Sequence, residues 1–265
     1  MGLLESFVYG LLSGFAEILP VSAAAHQELM VRLFGMDGKP LAVNFLVHLA
    51  ILVVLIGCCL PDIKRLRSYS VNGKRPRPSA DSRLTRTAAV PLLLGFFLVP
   101  YIRVLEGSLP LLTLLLIANG LILYIPGRML HGNKDARAMS ALDSLLIGIV
   151  GVLGIVPGIS RTGCLLSVSA ARGADRQPAL KWALLLSVPA LLVLTVMDLV
   201  KLSSAGAVVA AGFLGSVIAI AGAAIGCYFG IKLLRYLSVK VGYSGFAYYS
   251  WGAALFLFVM YLTVV

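Results

Sequence analysis

Charged residues are scarce in this chain of 265 residues. Asp, Glu, Lys and Arg together make up 12% of the sequence and hydrophobic residues make up 60%, whereas soluble domains contain roughly 25% charged residues. Cysteine is also scarce, and Cys58, Cys59, Cys164 and Cys227 follow no spacing typical of a zinc site or a disulfide framework. The shortage of charge excludes a soluble globular domain, and the composition predicts an all-α integral membrane protein.

Acidic residues are the rarer charged type, with 11 Asp and Glu against 22 Lys and Arg, which gives a net charge of +11. The basic residues are spread over short loops and form no nucleic-acid-binding motif, so we expect no nucleic-acid partner. If the loop from Asp62 to Arg86 is cytoplasmic, most basic residues lie on the cytoplasmic side, as the positive-inside rule requires. Both termini are then predicted to face outward.

Long apolar runs, in contrast, are abundant. Crossing a bilayer as a helix takes about 20 apolar residues, and six stretches reach or approach that length. They are Val43 to Leu60, Ala88 to Ile102, Leu111 to Ile125, Trp182 to Val200, Ala207 to Ile231 and Phe246 to Val265. The sequence therefore predicts six transmembrane helices.

Two further apolar segments are interrupted by proline. Leu3 to Leu19 ends at Pro20, and Leu142 to Val156 ends at Pro157. Because proline stops a helix, each segment is predicted to end there and to continue as a second short helix. Such broken backbone is tolerated at membrane depth only inside the protein or beside a water-filled cavity. We therefore predict two re-entrant helical hairpins rather than two more spans.

The two breaks occupy corresponding positions in the two halves of the chain. This is typical of membrane proteins built from inverted repeats, in which the binding site lies where the breaks meet. We predict one membrane domain over residues 1–265, made of a first inverted repeat over 1–126 and a second over 138–265. Gly222 and Gly226, with Gly230 one turn further on, predict a helix face that another helix approaches closely.

Polar residues follow the second break. Arg161 comes directly after Ser160, which is suited to cap a new helix. An ionisable residue within an apolar segment indicates a functional site, and a guanidinium beside a helix N-terminus suits a phosphate. Ser160, Thr162, Gly158 and Gly163 are predicted to close around that anion. The alternative is an arginine that extends to the membrane interface.

Glu17 and His26 flank the first break, with Ser22 between them as a predicted helix cap. If the chain reverses there, both side chains face one cavity and supply an acid, a base or a histidine nucleophile. The alternative is that Glu17 and His26 only satisfy each other and Ser22. His48, in the following span, is predicted to be a solitary core histidine rather than a partner of the site.

Together these residues carry a resemblance to a known family. ExLPVSxxxH from Glu17 to His26, followed far downstream by PGxSRxG from Pro157 to Gly163, resembles the motifs of the undecaprenyl pyrophosphate phosphatases, the bacitracin-resistance proteins. The resemblance covers the whole chain. It implies a multi-pass protein of the bacterial inner (plasma) membrane with an inverted repeat and two re-entrant hairpins. It also implies a hydrolase that removes one phosphate from the C55 polyprenyl diphosphate, a lipid carrier recycled in peptidoglycan synthesis.

The resemblance also assigns roles to residues. Glu17, Ser22 and His26 match the first motif, and Ser160, Arg161, Thr162 and Gly163 match the second. By this resemblance the catalytic residues are Glu17, His26 and Arg161. The substrate-binding residues are Ser22, Ser160, Arg161, Thr162 and Gly163.

Four positions depart from the family pattern. Ser13 stands where a first acidic residue is usual, Ala23 and Ala24 replace hydroxyl residues, and Leu165 replaces a threonine. The family implies a divalent cation, Mg²⁺ or Ca²⁺, but such cations need several oxygen ligands. With one acidic residue missing, the sequence assigns no metal ligand and leaves the cofactor open.

Three functions remain open at this point. The first is a diphosphatase, and the second is a non-hydrolytic binder or flippase of polyprenyl phosphate, to which an inverted repeat is well suited. The third is an unrelated ion or solute transporter, which should carry more intramembrane charge than Glu17, Arg161 and Asp198. The expected partners are the polyprenyl diphosphate and the membrane, and a homodimer is left open.

Overall fold

The computed structural model describes residues 1–36, 40–66, 79–102, 105, 107–128, 132–205, 212–240 and 242–264. Within these ranges the secondary structure is helical, apart from an isolated bridge between Lys134 and Ala174. The helices are α1 (Leu3–Ile18), α2 (Ala23–Leu33), α3 (Leu41–Arg65), α4 (Ala80–Gly95), α5 (Val99–Ile102), α6 (Leu109–Arg128), α7 (Ala141–Val152), α8 (Arg161–Ala171), α9 (Arg176–Ala205), α10 (Gly212–Lys240) and α11 (Ser244–Val264). The predicted all-α class is confirmed.

Six helical stretches are long and apolar enough to cross a membrane: α3, α4 continued through α5, α6, α9, α10 and α11. They coincide with the six predicted spans and extend beyond most of them, because the helices continue into polar turns at their ends. The first residues of the predicted span from Ala207 lie outside the described residues. Large apolar side chains such as Phe97, Leu114 and Phe213 are exposed, as expected for a surface that meets lipid.

The two predicted breaks lie where the prolines stand. α1 ends at Ile18 and α2 begins at Ala23, so the first break contains Pro20. α7 gives way to a short 3₁₀ turn that ends at Ile155, and α8 then begins at Arg161. Each break therefore separates two short helices.

The serines after the prolines behave differently from each other. Ser160 caps α8 as predicted, since its Oγ accepts a hydrogen bond from the Gly163 amide at 3.2 Å. Ser22 stands at the corresponding position of α2 but makes no side-chain cap there, so that prediction is wrong. Its φ is +69°, a backbone conformation that residues other than glycine rarely adopt, and its hydroxyl oxygen accepts a hydrogen bond from the Gly158 amide instead.

Packing joins helices from the two halves of the chain. α1 lies along α10 and α4 lies along α7, while α3 packs on α9 and α6 packs on α11. α3 also touches α10, and α4 touches α9. The two breaks are thereby brought to the middle of the molecule.

Small residues allow α1 and α10 to approach closely. A Cβ atom added to Gly226 would lie 2.2 Å from the backbone oxygen of Leu11, and one added to Gly222 would lie 2.6 Å from that of Phe7. A Cβ atom on Gly230 would meet its nearest neighbours at 3.5 Å, an ordinary contact. The predicted glycine face is therefore confirmed at the first two positions and is looser at the third.

Gly226→Ala is expected to destabilise the protein, because the added methyl group meets backbone rather than a flexible side chain. Overpacking of this kind costs about 1–3 kcal/mol. Gly230→Ala is the matched control and is expected to be neutral or slightly stabilising, because alanine favours a helix by up to about 1 kcal/mol over glycine. Thermal unfolding of the two variants in the same detergent measures the difference. Equal loss in both would contradict the packing of α1 on α10.

Candidate active site

The serine of each break hydrogen-bonds to the backbone of the other break. The Gly158 amide donates to the Ser22 Oγ at 3.1 Å, and the Ser160 hydroxyl donates to the Leu19 carbonyl oxygen at 3.4 Å. Backbone groups that are freed by the prolines thus find partners in the protein, as a buried segment requires. The breaks meet at one place, as the sequence predicts.

Asn119, from α6, holds both breaks and escaped the sequence analysis. Its Nδ2 donates to the Pro20 carbonyl oxygen at 3.2 Å and to the Ser250 Oγ at 2.9 Å, and its Oδ1 accepts from the Ser160 amide at 2.8 Å. The side chain is fully buried. A signal was present in the sequence, because Asn119 is a lone amide residue within an apolar span, where polar side chains are expected to have a function.

Arg161 and Glu17 form a buried ion pair across the breaks. Arg161 Nη2 lies 2.7 Å from Glu17 Oε1, and both side chains are more than nine-tenths buried. The Nε atom of Arg161 is buried and has no hydrogen-bond partner among the described residues. Arg161 therefore belongs to an interior site rather than extending to the protein surface, and it retains an unused donor.

A cavity of about 100 Å³ lies beside this ion pair. Its polar lining residues are Glu17, Gln27, Asn44, His48, Ser160 and Arg161. Ser160 and Arg161 also form the N-terminal end of α8, where partly positive amides favour an anion. Of the other predicted residues, Thr162 is buried and Gly163 is used by the Ser160 cap, and neither lines the cavity.

His26 faces a different cavity. Its Nδ1 lies 2.8 Å from the Ser22 carbonyl oxygen and its Nε2 lies 2.7 Å from the Tyr249 hydroxyl. Because a carbonyl oxygen only accepts, Nδ1 carries the proton of the neutral ring and Nε2 accepts from Tyr249. The second cavity measures about 470 Å³ and is lined mainly by apolar side chains of α1, α10 and α11. Glu17 and His26 are thus not brought to one cavity, although Ala16 lines both.

His48 is not a solitary core histidine, and that prediction is wrong. Its Nδ1 lies 2.6 Å from Oδ2 of Asp198, which also accepts a hydrogen bond from Asn44 Nδ2 at 3.0 Å. Gln27 Nε2 donates to the Asn44 Oδ1 at 3.1 Å. His48 belongs to a buried polar network that reaches the first cavity, and its acidic partner stands 150 residues further along the chain.

The donors at the first cavity do not fit a resident Mg²⁺ or Ca²⁺. Glu17 is the carboxylate in the lining and is committed to Arg161, whereas hard cations need several oxygen ligands. Over the described residues there is no group of three or more His, Cys, Asp or Glu side chains that suits a metal ion. Ala23 and Ala24 line the cavity and carry no side-chain oxygen.

The chain is similar to known proteins. The family model described as "Bacitracin resistance protein BacA" matches residues 6–256. The chain belongs to the BacA family. The predicted resemblance is therefore confirmed, and the six long apolar helices identify this BacA-family chain as a multi-pass membrane protein.

Curated relatives match the chain over nearly its whole length. Undecaprenyl-diphosphatase 1 of Shouchella clausii is 30% identical, covering 98% of this chain and 96% of that protein. Undecaprenyl-diphosphatase of Carboxydothermus hydrogenoformans is 29% identical over 95% of this chain and 94% of its own. That of Halothermothrix orenii is 24% identical over 98% of each chain.

Proposed function

We propose that this protein is an undecaprenyl-diphosphatase, which removes one phosphate from the C55 polyprenyl diphosphate and returns the lipid monophosphate for cell-wall synthesis. The observation that carries the proposal is the buried Arg161, paired with Glu17 beside a cavity at the meeting point of the two breaks. Family membership and the names of the relatives support it.

Arg161 is proposed to hold the diphosphate. Its planar fork suits two phosphate oxygens at once, and the unused Nε donor lies in the same side chain. The N-terminal end of α8, which reaches the cavity at Ser160 and Arg161, adds its partly positive end. Glu17 must release the guanidinium when the substrate enters, after which its carboxylate is free to orient the attacking water.

His26 is proposed to donate a hydrogen bond or proton to the leaving oxygen. The apolar cavity beside it, lined by residues such as Phe15, Leu233 and Phe246, suits the first isoprenyl units of the lipid tail. When protonated, His26 can donate to the bridging oxygen as that oxygen takes up charge. This requires the imidazole to exchange its hydrogen bond with Tyr249 for one with the substrate.

A non-hydrolytic binder or flippase is the second candidate. It is favoured by one observation, the presence of Ala23 and Ala24 at a cavity whose single carboxylate is neutralised by Arg161. Phosphate release by the purified protein from C55 diphosphate, with and without Mg²⁺ or Ca²⁺, separates the two candidates when run beside a lipid-flip assay in vesicles. Release supports the enzyme, and flipping without release would reject it.

The finer architecture is proposed to be an inverted repeat, with residues 1–126 related to residues 138–265 within one domain. Suppose that each helix of the first half is exchanged with its counterpart in the second: α1 with α7, α3 with α9, α4 with α10 and α6 with α11. The α1–α10 pair then becomes the α7–α4 pair, and the α3–α9 and α6–α11 pairs become themselves, so the packing is unchanged. The hydrogen bonds that cross between Ser22 and Ser160 have the same reciprocity. In this arrangement α1 with α2, and α7 with α8, are re-entrant hairpins.

The orientation that follows from the basic residues can be tested by cysteine labelling. In a variant whose native cysteines are replaced, Ser108→Cys is expected to react with a membrane-impermeant maleimide in intact cells. Asn133→Cys is expected to react only after permeabilisation. Labelling of both in intact cells would contradict the proposed topology. The same orientation predicts labelling near Gly38 and protection of Gly73, and both positions lie outside the described residues. The homodimer stays a prediction.

Gly154→Ala is expected to impair phosphate release by displacing Arg161. The new Cβ atom would lie 2.2 Å from the Arg161 Cα, and a misplacement of about 1 Å can cost on the order of 100-fold in rate. Gly252→Ala is the matched control, because a Cβ atom there meets nothing within 4 Å. Initial rates measure both variants. A Gly154→Ala protein as active as Gly252→Ala would separate Arg161 from the reaction.

A further inference from the structure

The pair of His48 and Asp198 has the geometry of an oriented base. Asp198 Oδ2 accepts a hydrogen bond from Asn44 Nδ2 and lies 2.6 Å from His48 Nδ1, and an ionised carboxylate only accepts hydrogen bonds. The His48 Nδ1 therefore carries a proton, and the lone pair of the neutral ring is on Nε2. His48 lines the first cavity, whereas Asp198 does not.

A second layer of hydrogen bonds fixes this pair. Asn44 Oδ1 accepts from Gln27 Nε2 at 3.1 Å and from the Tyr9 hydroxyl at 3.2 Å. Hydrogen bonds at both Oδ1 and Nδ2 thus fix the side-chain amide of Asn44. This in turn fixes the position of the Asp198 oxygen to which it donates. His48, Asn44 and Asp198 are all buried, with exposed fractions of 5%, 7% and 2%. An imidazole restrained in this way points one nitrogen in a fixed direction.

The chemistry at the first cavity calls for a base. In the hydrolysis of a diphosphate, the attacking water molecule must lose a proton. The leaving monophosphate is a weak base, so the attacking water has the greater need of catalysis. Glu17 is paired with Arg161 at 2.7 Å and, once the substrate displaces it, is assigned to orienting the water. His26 lines the other cavity. Among the described residues that line the first cavity, His48 is the remaining side chain with a basic ring nitrogen that can accept the proton.

We propose that His48 is a catalytic general base for the attacking water and that Asp198 is its positioning residue. This inference rests on the proposed diphosphatase function. As the water oxygen bonds to the terminal phosphorus, one water proton passes to His48 Nε2. The bond between that phosphorus and the bridging oxygen breaks, and its electron pair leaves with the polyprenyl monophosphate. His48 returns the proton to solvent after phosphate departs.

The test measures phosphate release from C55 diphosphate by the purified full-length protein and its variants. His48→Ala is expected to lower kcat by about 100-fold or more, with KM changed by less than about threefold, because a general base acts in the transition state. Added imidazole is expected to raise the kcat of His48→Ala at least tenfold. The same imidazole should not rescue Arg161→Ala. His48→Gln preserves volume and is expected to lose a similar factor.

Asp198 is tested by a double-mutant cycle. Asp198→Asn is expected to lower kcat by about tenfold in the native background and by less than about twofold in His48→Ala, because it acts through the imidazole. Thr195→Val is the matched control. Thr195 lies on the same helix, is buried and bonds to the Leu191 carbonyl oxygen of its own helix, so kcat should be unchanged.

The outcomes separate this inference from the function on which it rests. If the native protein releases no phosphate, both fail. If the native protein is active and either His48 variant keeps kcat within about threefold of it, only the role of His48 is overturned. Loss without imidazole rescue, together with an undiminished effect of Asp198→Asn in His48→Ala, would also overturn it, because that result is typical of a structural pair.

Discussion

Arg161→Ala is expected to lower kcat/KM for phosphate release by about 10²–10³-fold, because a buried charge pair with the diphosphate is worth several kcal/mol. Two effects combine. The substrate loses its bidentate donor, and Glu17 is left at the cavity as an uncompensated negative charge that repels the diphosphate. Arg161→Lys keeps the charge but loses the planar fork, so it should recover only part of the activity.

Arg172→Ala is the matched control for this prediction. Arg172 follows the same helix, is two-fifths exposed and pairs with Asp143 rather than with a cavity residue. Its removal is expected to leave kcat/KM within about threefold of the native value. Steady-state kinetics of the two variants decides the matter. If Arg161→Ala and Arg172→Ala behave alike, the diphosphate does not bind at the meeting point of the breaks.

Asn119→Ala is expected to destabilise the protein by about 3 kcal/mol or more, because each buried group left without its hydrogen bond costs about 1–3 kcal/mol. The substitution would leave the Pro20 carbonyl and the Ser160 amide without the partner that joins them. Because these groups belong to opposite breaks, activity should fall together with stability. Thermal unfolding in detergent and initial rates measure the two effects.

Thr113→Val tests whether the removal of any buried polar side chain from α6 destabilises the protein as much as Asn119→Ala does. Thr113 is buried on that helix, and its hydroxyl has no hydrogen-bond partner among the described residues. Replacing it with valine removes an unsatisfied group and is expected to be neutral or stabilising. A loss of stability as large as that of Asn119→Ala would show that the hydrogen bonds of Asn119 are not what holds the breaks together.

The helices and the two breaks could be predicted because their causes are local. Length and apolarity indicate a span, and Pro20 and Pro157 each stand in a break between helices, as proline favours. Proline alone does not decide this, because α3, α4, α6 and α9 each contain one. Ser22 shows the limit of this reasoning. Its hydroxyl oxygen accepts a hydrogen bond from the Gly158 amide of the opposite break, and a local capping rule could not anticipate that partner.

The site residues could be predicted by type but not by pairing. Arg161 stood out as a charge in an apolar segment, yet its partner Glu17 lies 144 residues away. His48 was misjudged for the same reason, since Asp198 is just as distant in sequence. The direction of His26 depends on the rotation of α2, which turns Ala23, Ala24 and Gln27 toward the first cavity and His26 toward the second.

The ion pair of Glu17 and Arg161 also bears on product release. A carboxylate fixed 2.7 Å from the guanidinium acts as a tethered competitor whose effective concentration is in the millimolar range or higher. In the proposed reaction, inorganic phosphate competes with the Glu17 carboxylate for Arg161. It lacks the lipid tail, which adds to the binding of the diphosphate. In the proposed mechanism, Glu17 would displace inorganic phosphate as it returns to Arg161, and the site would regain charge neutrality before the next lipid enters.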